Sequence, residues 1–204
     1  FKYESTFGSW LKRIIINKSI NHLKKRKIAI TPIEDKLYSI KADDEKEEAP
    51  APPRQWDLSN QLEDAEAAYA MIVNRAEEWG VDTNRIGMIG FSAGAGLTMH
   101  STLHSKTMKL AFIGPIYGGM GPVEVPENAP PMFNVIATDD FLFRGQFGVV
   151  DSWHKAGIPV EFHLYQNGGH GFGLGNPNRT SNRWFDAFTH WLNVNGFQSE
   201  KTVE

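Results

Sequence analysis

Apolar runs and amphipathic stretches alternate along residues 81–197. Ile86–Phe91, Leu110–Tyr117 (LAFIGPIY), Phe133–Thr138 (FNVIAT) and Val160–Tyr165 are short and strongly apolar, and each predicts a buried strand. Ala95–His104, Gly145–Ala156 and Ser181–Val194 space their apolar residues at helical intervals and predict helices. Pro115 is expected to restrict the end of the second strand, and the Pro- and Gly-rich stretch from Met120 to Pro131 predicts a loop. A longer helix is expected ahead of the first strand. It starts near Ser59 as N-cap, with Glu63 and Asp64 in its first turns. Leu62, Ala65, Ala68, Tyr69, Ile72, Val73, Ala76 and Trp79 form a regular apolar face, and Gly80 ends it. Apolar strands separated by helices mean a mainly parallel sheet covered on both faces, an α/β class.

Residues 1–48 follow a different pattern. From Ser9 to Lys27, Trp10, Leu11, Ile14, Ile15, Ile20 and Leu23 line one stripe of a predicted helix whose end carries Lys24, Lys25, Arg26 and Lys27. An acidic block follows at Asp43, Asp44, Glu45, Glu47 and Glu48. Ala49–Pro53 (APAPP) is stiff and helix-free, and so marks the best domain boundary. The expected organisation is a helical segment over 1–48, a Pro-rich linker over 49–54 and a main domain over 55–204.

The 204 residues are 41% apolar and 22% charged, the balance of a globular protein with a proper core. The net charge of −3 argues against nucleic acid as partner of the whole chain, although it conceals the two opposed blocks. Without cysteine there is no disulfide, no thiolate nucleophile and no Cys-based zinc site. No apolar run approaches the roughly 18 residues of a membrane span. The opening FKYESTFGSW is not a signal peptide, so no address is visible and the compartment stays open.

The chemistry centres on Gly90-Phe91-Ser92-Ala93-Gly94, which has the G-x-S-x-G form of a nucleophile elbow between a strand and a helix. The glycines leave room around a strained serine, and the turn aims the Ala93 N–H, at a helix N-terminus, toward a developing oxyanion. In a parallel α/β sheet, catalytic groups gather at the carboxyl ends of the strands. Asp139 and Asp140 follow the third strand and His170 follows the fourth, in YQNGGHGFG. With seven histidines in the chain, one in some loop carries little weight, but one just past a strand carries more. Ser92 is the candidate nucleophile, His170 the base that takes its proton and returns it to the leaving alcohol, and an aspartate the group that orients the imidazole. This chemistry calls for no metal and no organic cofactor. Trp153, Trp184 and Trp191 lie on predicted helices and are expected in the core rather than as sugar-stacking platforms.

RIGMIGFSAGAGL, PPMFNVIATDDFLF, AGIPVEFHLYQNGGHGFGLG and a closing W-F-x-x-F-x-x-W-L helix resemble the α/β-hydrolase esterases of the acetylxylan and feruloyl esterase type, over about Gln55 to Phe197. The resemblance implies a serine esterase acting on short acyl esters, acetylated carbohydrates among them. It implies Asp140 as the triad acid, with Asp139 as the alternative. Dienelactone hydrolases carry a cysteine where this chain has Ser92, which disfavours that activity. The resemblance also carries a departure: the further strands and the His-Gly-Gly-Gly-like oxyanion loop expected before the elbow have no counterpart ahead of Ser92. Losing one oxyanion donor costs about two to three orders of magnitude in rate. The reading is therefore an incomplete α/β-hydrolase fold, with a catalytically impaired scaffold as the alternative to an active esterase. Gly118-Gly119-Met120-Gly121 is the one glycine-rich candidate for a second donor. The Ser92 strand is expected at an exposed sheet edge, through which the chain would self-associate unless residues 1–48 cover it.

YESTFGSWLKRIIINKSINHLKKRK has a resemblance of its own, to the promoter-reading part of region 2 in extracytoplasmic-function sigma factors. Phe7, Trp10, Leu11, Asn17, Asn21, His22, Leu23 and Lys24 to Lys27 carry it. The other helices of such a factor are missing, so an amphipathic helix packing on something is the competing reading. Promoter recognition would show as salt-dependent duplex binding lost on neutralising Lys24 to Lys27. The expected partner of the whole chain is a small ester or acylated saccharide, not a membrane or nucleic acid.

Overall fold

A computed structural model describes residues 58–174 and 176–198. The expectations for 1–48 and for the 49–54 linker lie outside the described residues.

The chain enters on helix α1 (Ser59–Asn74), continues in a short helix α2 (Ala76–Trp79) and reaches the first strand through a 3-10 turn at Thr83–Arg85. Then follow β1 (Met88–Phe91), α3 (Ala93–His104), β2 (Ile113–Ile116), β3 (Met132–Ala137), α4 (Gly148–Lys155), β4 (Val160–Tyr165) and, after a 3-10 turn at Thr180–Arg183, α5 (Trp184–Val194). All four strands are parallel, in the order β1-β2-β3-β4. The expected α/β architecture is therefore present, with a four-stranded sheet.

Side-chain alternation divides the sheet into two faces. Gly90 lies under α3, and Phe162 meets Phe147 near the start of α4 at 5.9 Å between ring centroids. On the opposite face α5 lays Phe188 and Trp191 against Phe133, at 5.2 and 5.6 Å. β2 and β3 are buried along their whole length, whereas β1 and β4 are half-covered borders. The core runs from Ile113 and Phe133 to Trp153, Trp184 and Trp191, all buried. Full burial of a side chain such as Phe133 contributes roughly 2 to 3 kcal/mol. Trp153 is tolerated there because its indole N–H donates to the Pro130 carbonyl at 3.0 Å.

Several expectations are corrected in detail. The long first helix breaks at Arg75, which leaves helical geometry (φ −114°, ψ 15°) while its guanidinium grips Glu78 and lies 5.0 Å from the Trp79 ring centre. Its apolar face is only half-buried, against α3, and Met71, Val73 and Trp79 are exposed. Ser59 is not the N-cap: Leu58 holds that position, and its carbonyl accepts the Leu62 N–H at 2.8 Å. The closing helix begins at Trp184 rather than Ser181, because Thr180–Arg183 form a tighter 3-10 turn. Pro115 does not sit at a strand end but inside the central strand β2. The Ile113 N–H reaches the Pro131 carbonyl at 3.0 Å and the Tyr117 N–H reaches the Val135 carbonyl at 2.8 Å. Pro115 occupies the donor position between them, so this ladder lacks one rung.

Candidate active site

Three strand ends converge on one place. β1 ends at Phe91, and Ser92 sits between it and α3 with φ 54° and ψ −115°, a conformation that non-glycine residues rarely adopt. Such a residue costs about 1 to 3 kcal/mol and survives only where its surroundings enforce it. The enforcement is visible. The Ser92 N–H is held by the Ile116 carbonyl at 3.1 Å, and its carbonyl accepts the Gly96 N–H at 3.1 Å. Gly90 lies so close to α3 that an added Cβ would stand 2.0 Å from the Gly94 carbonyl oxygen and 2.5 Å from Thr98 Oγ1. Gly94 itself faces open space, so only the first glycine of the pentapeptide is required by a close approach.

The Ser92 Oγ lies 2.7 Å from His170 Nε2. On the other side of the ring, His170 Nδ1 lies 2.9 and 3.0 Å from the two carboxylate oxygens of Asp140. Asp140 is buried, 3% exposed, and one of its oxygens also accepts the Leu142 N–H at 2.9 Å. A hydrogen-bonded line therefore runs from a hydroxyl through an imidazole to a buried carboxylate. In this geometry the carboxylate fixes the imidazole orientation and leaves Nε2 facing the hydroxyl.

Asp139 is not in that line. Its carboxylate accepts the Gly168 N–H at 2.9 Å and the Gly169 N–H at 2.8 Å, and so pins the start of the loop that carries His170. Gly169, Gly171 and Gly173 all have positive φ, which lets this loop curl tightly around the histidine. The indole N–H of Trp184 holds the far end, donating to the Gly173 carbonyl at 2.8 Å.

Sequence reasoning missed two neighbours of His170, and the bond by which Trp184 holds its loop. Tyr117, buried at the end of β2 with φ 40°, sets its ring edge-on to the imidazole at 5.6 Å and to Phe172 at 4.7 Å. Burial pushes its hydroxyl above the usual phenol range and the Asp140 charge adds to this, while a hydrogen bond with the Gly173 backbone opposes it. The Phe141 ring centre lies 4.6 Å from that of the imidazole, and Phe141 is 65% exposed. Trp184 was expected in the core, and is buried there, but its polar edge faces the histidine loop. No periodicity could reveal these neighbours, since each residue reads as an ordinary apolar position. Ala93 opens α3 directly after the serine. Gly118 packs against the Ala95 side chain, where a Cβ would come within 2.8 Å.

A cleft of about 410 Å³ is lined by Ser101, His104, Lys109 and Pro126, at the opposite end of the sheet from Ser92. Among the described residues no group of three or more His, Asp or Glu is placed to hold a metal ion, and no helix is long and apolar enough to cross a membrane.

The family described as alpha/beta hydrolase fold matches residues 51–127, which include the elbow and β2. The chain has the α/β-hydrolase fold. Among solved structures, an alpha/beta hydrolase enzyme from a Medee basin deep-sea metagenome library is 28% identical, with a TM-score of 0.58; the match covers 74% of this chain and 67% of that one. An acetyl ester-xyloside bifunctional hydrolase from Caldicellulosiruptor lactoaceticus is 22% identical with a TM-score of 0.60, over 68% of this chain and 66% of that one. A carboxylesterase from Lactobacillus plantarum is 18% identical with a TM-score of 0.55, over 69% of each chain. The chain thus spans about two thirds of the length of the structures it matches. No curated protein matches the chain. The hydrogen-bonded line from Ser92 through His170 to Asp140 lies at the carboxyl ends of the strands of that fold.

Proposed function

We propose that this chain is a serine esterase that hydrolyses short-chain acyl esters, acetyl esters of carbohydrates in particular, with Ser92, His170 and Asp140 as its triad. The 2.7 Å approach of Ser92 Oγ to His170 Nε2 carries this reading, because it gives the hydroxyl a base within proton-transfer reach. Ser92 attacks the ester carbonyl as its proton passes to Nε2. The tetrahedral oxyanion is received by the Ala93 N–H, and the second donor is expected from the Gly118–Gly119 turn that leaves β2 beside α3. Collapse expels the alcohol, which takes the proton from His170 and leaves an acyl-serine. Water, deprotonated by the same imidazole, then releases the acid and restores the hydroxyl. Asp140 holds the ring through Nδ1 and steadies the imidazolium.

The acetyl and carbohydrate preference rests on likeness: one of the similar structures is described as an acetyl ester-xyloside hydrolase. Hydrolysis of p-nitrophenyl acetate by the parent beside Ser92→Ala tests the reading. Turnover in the parent alone supports it. Equal background in both would leave a scaffold with triad residues and no working oxyanion site.

A further inference from the structure

We propose that the exposed ring of Phe141 is a platform for the leaving alcohol, and that the substrates are esters whose alcohol carries a ring with an apolar face; this rests on the esterase reading above. An exposed phenylalanine is ordinary by itself. Three observations set this one apart.

The first is rigidity. Phe141 lies between Asp140, whose N–H donates to the Ala137 carbonyl at 3.1 Å, and Leu142, whose N–H donates to the Asp140 carboxylate at 2.9 Å. The next residue, Phe143, is buried and donates its N–H to the Asp140 carbonyl at 3.0 Å. The ring is therefore held out by a hydrogen-bonded turn anchored on both sides.

The second is place. The Phe141 ring centre is 4.6 Å from that of the His170 imidazole, at 49° between planes, while the ring of the buried Tyr117 lies 5.6 Å from the same imidazole. The alkoxide that leaves must lie within about 3 Å of Nε2 to take its proton. The carbons attached to that oxygen then project beside the imidazole, where Phe141 offers the exposed apolar surface.

The third is shape. A methyl or ethyl alcohol is too small to cover a phenyl ring, whereas a six-membered ring can lie across it. A stacked ring pair is worth about a factor of ten in affinity or rate at best. Phe141 has no polar edge, so the shared requirement is a ring with an apolar face, met either by a phenol or by a pyranoside.

The test compares kcat/KM for ethyl acetate, phenyl acetate and an O-acetylated methyl xyloside in the parent and in Phe141→Ala. The expected result is a fall of up to about tenfold in the ratio of ring ester to ethyl acetate. A fall for phenyl acetate alone assigns an aromatic alcohol, and a fall for the xyloside alone assigns a pyranoside. Unchanged ratios for both ring esters overturn the proposal, because Phe141 would then support the imidazole without touching the alcohol. If the parent hydrolyses none of the three, the esterase reading fails on its own account. Saturation-transfer NMR of benzyl alcohol and methyl xyloside with Ser92→Ala, beside the Ser92→Ala/Phe141→Ala double variant, then decides the platform separately. Saturation transfer to the ring protons that disappears when Phe141 is removed supports it. Transfer that is absent in both variants, or equal in both, overturns it.

Discussion

Asp139 and Asp140 are adjacent in sequence, yet their carboxylates serve different partners: Asp140 bonds the His170 imidazole, and Asp139 bonds the backbone N–H groups of Gly168 and Gly169 just before it in the same loop. One holds the ring, the other holds the loop that delivers the ring. Substitution should separate them. Asp140→Asn keeps the shape but disturbs the imidazole's tautomer and leaves the imidazolium unsupported, so kcat is expected to fall about 10⁴-fold. Asp139→Ala leaves the triad atoms in place but frees the loop. A misplacement of about 1 Å would cost near 10²-fold, and Asp139→Asn, which keeps one accepting oxygen, should recover part of it. Steady-state kinetics on p-nitrophenyl acetate make the comparison. Equal losses in Asp139→Ala and Asp140→Asn would contradict the division of labour.

The two glycines of the elbow are expected to differ as sharply. Gly90→Ala would drive a methyl group into the Gly94 carbonyl oxygen and Thr98 Oγ1, at 2.0 and 2.5 Å, both of them on a packed helix. Overpacking of this kind costs about 1 to 3 kcal/mol, and the displaced elbow should lose most of its activity. Gly94→Ala meets nothing within 4 Å and should change stability by less than about 1 kcal/mol. Thermal unfolding of the two variants, with esterase assays alongside, decides it. Comparable destabilisation by both would show that the space beside Gly94 is filled.

The parallel sheet was legible because Ile113–Ile116 and Met132–Ala137 are buried on both faces and so could be apolar without alternation. Ser92 and His170 were legible because glycines bracket each: Gly90 is required by the close approach of α3, and Gly169 and Gly171 by their positive φ. Which of two consecutive aspartates turns inward was not legible in the residues themselves; only the resemblance pointed to Asp140. The choice is set by the turn after β3, where the Asp140 N–H goes to the Ala137 carbonyl and the Leu142 N–H to the Asp140 carboxylate, while Asp139 is held by the Gly168 and Gly169 N–H groups. The placement of Pro115 misled for a physical reason: a proline in a central strand loses one rung, and β2 tolerates this because rungs on both sides of it remain. The interruption at Arg75 carries neither Gly nor Pro and left no mark in the periodicity. Phe141 escaped notice because a lone aromatic gives no sign of whether it faces core or solvent.

Tyr117 makes a prediction at alkaline pH. Burial raises its hydroxyl above the ordinary value near 10, so the folded state holds that proton more tightly than the unfolded chain. The associated stability is complete below the unfolded pKa and is lost as pH rises through the higher folded one. Tyr165 shifts in the same direction, so the parent should lose stability above pH 10 through both groups. Tyr117→Phe should show a shallower decline over that range while remaining folded at neutral pH. Melting temperatures of the two proteins between about pH 9 and 11 supply the measurement. Parallel curves would mean that the Tyr117 phenol titrates alike in folded and unfolded chains.

The outer edge of β1 bears on self-association. β1 pairs only with β2 among the described residues, and Ile89 and Phe91, 37% and 43% exposed, face the same side of the sheet. Along a parallel ladder alternate residues bond to one neighbour. The N–H groups of Met88 and Ser92 go to β2, so those of Ile89 and Phe91 point to the open side. An edge whose donors meet no acceptor among the described residues, and whose side chains are apolar, invites another strand, and a second copy of this chain can supply one. We therefore expect association that depends on this edge. Ile89→Lys places a charge there without touching the triad, and it should shift the light-scattering mass toward the monomer while secondary structure is retained. Hydrogen exchange in the parent should find Ile89 and Phe91 amides protected at high concentration and exposed on dilution. A parent that is monomeric at every concentration, with those amides exchanging freely, would rule out pairing through β1.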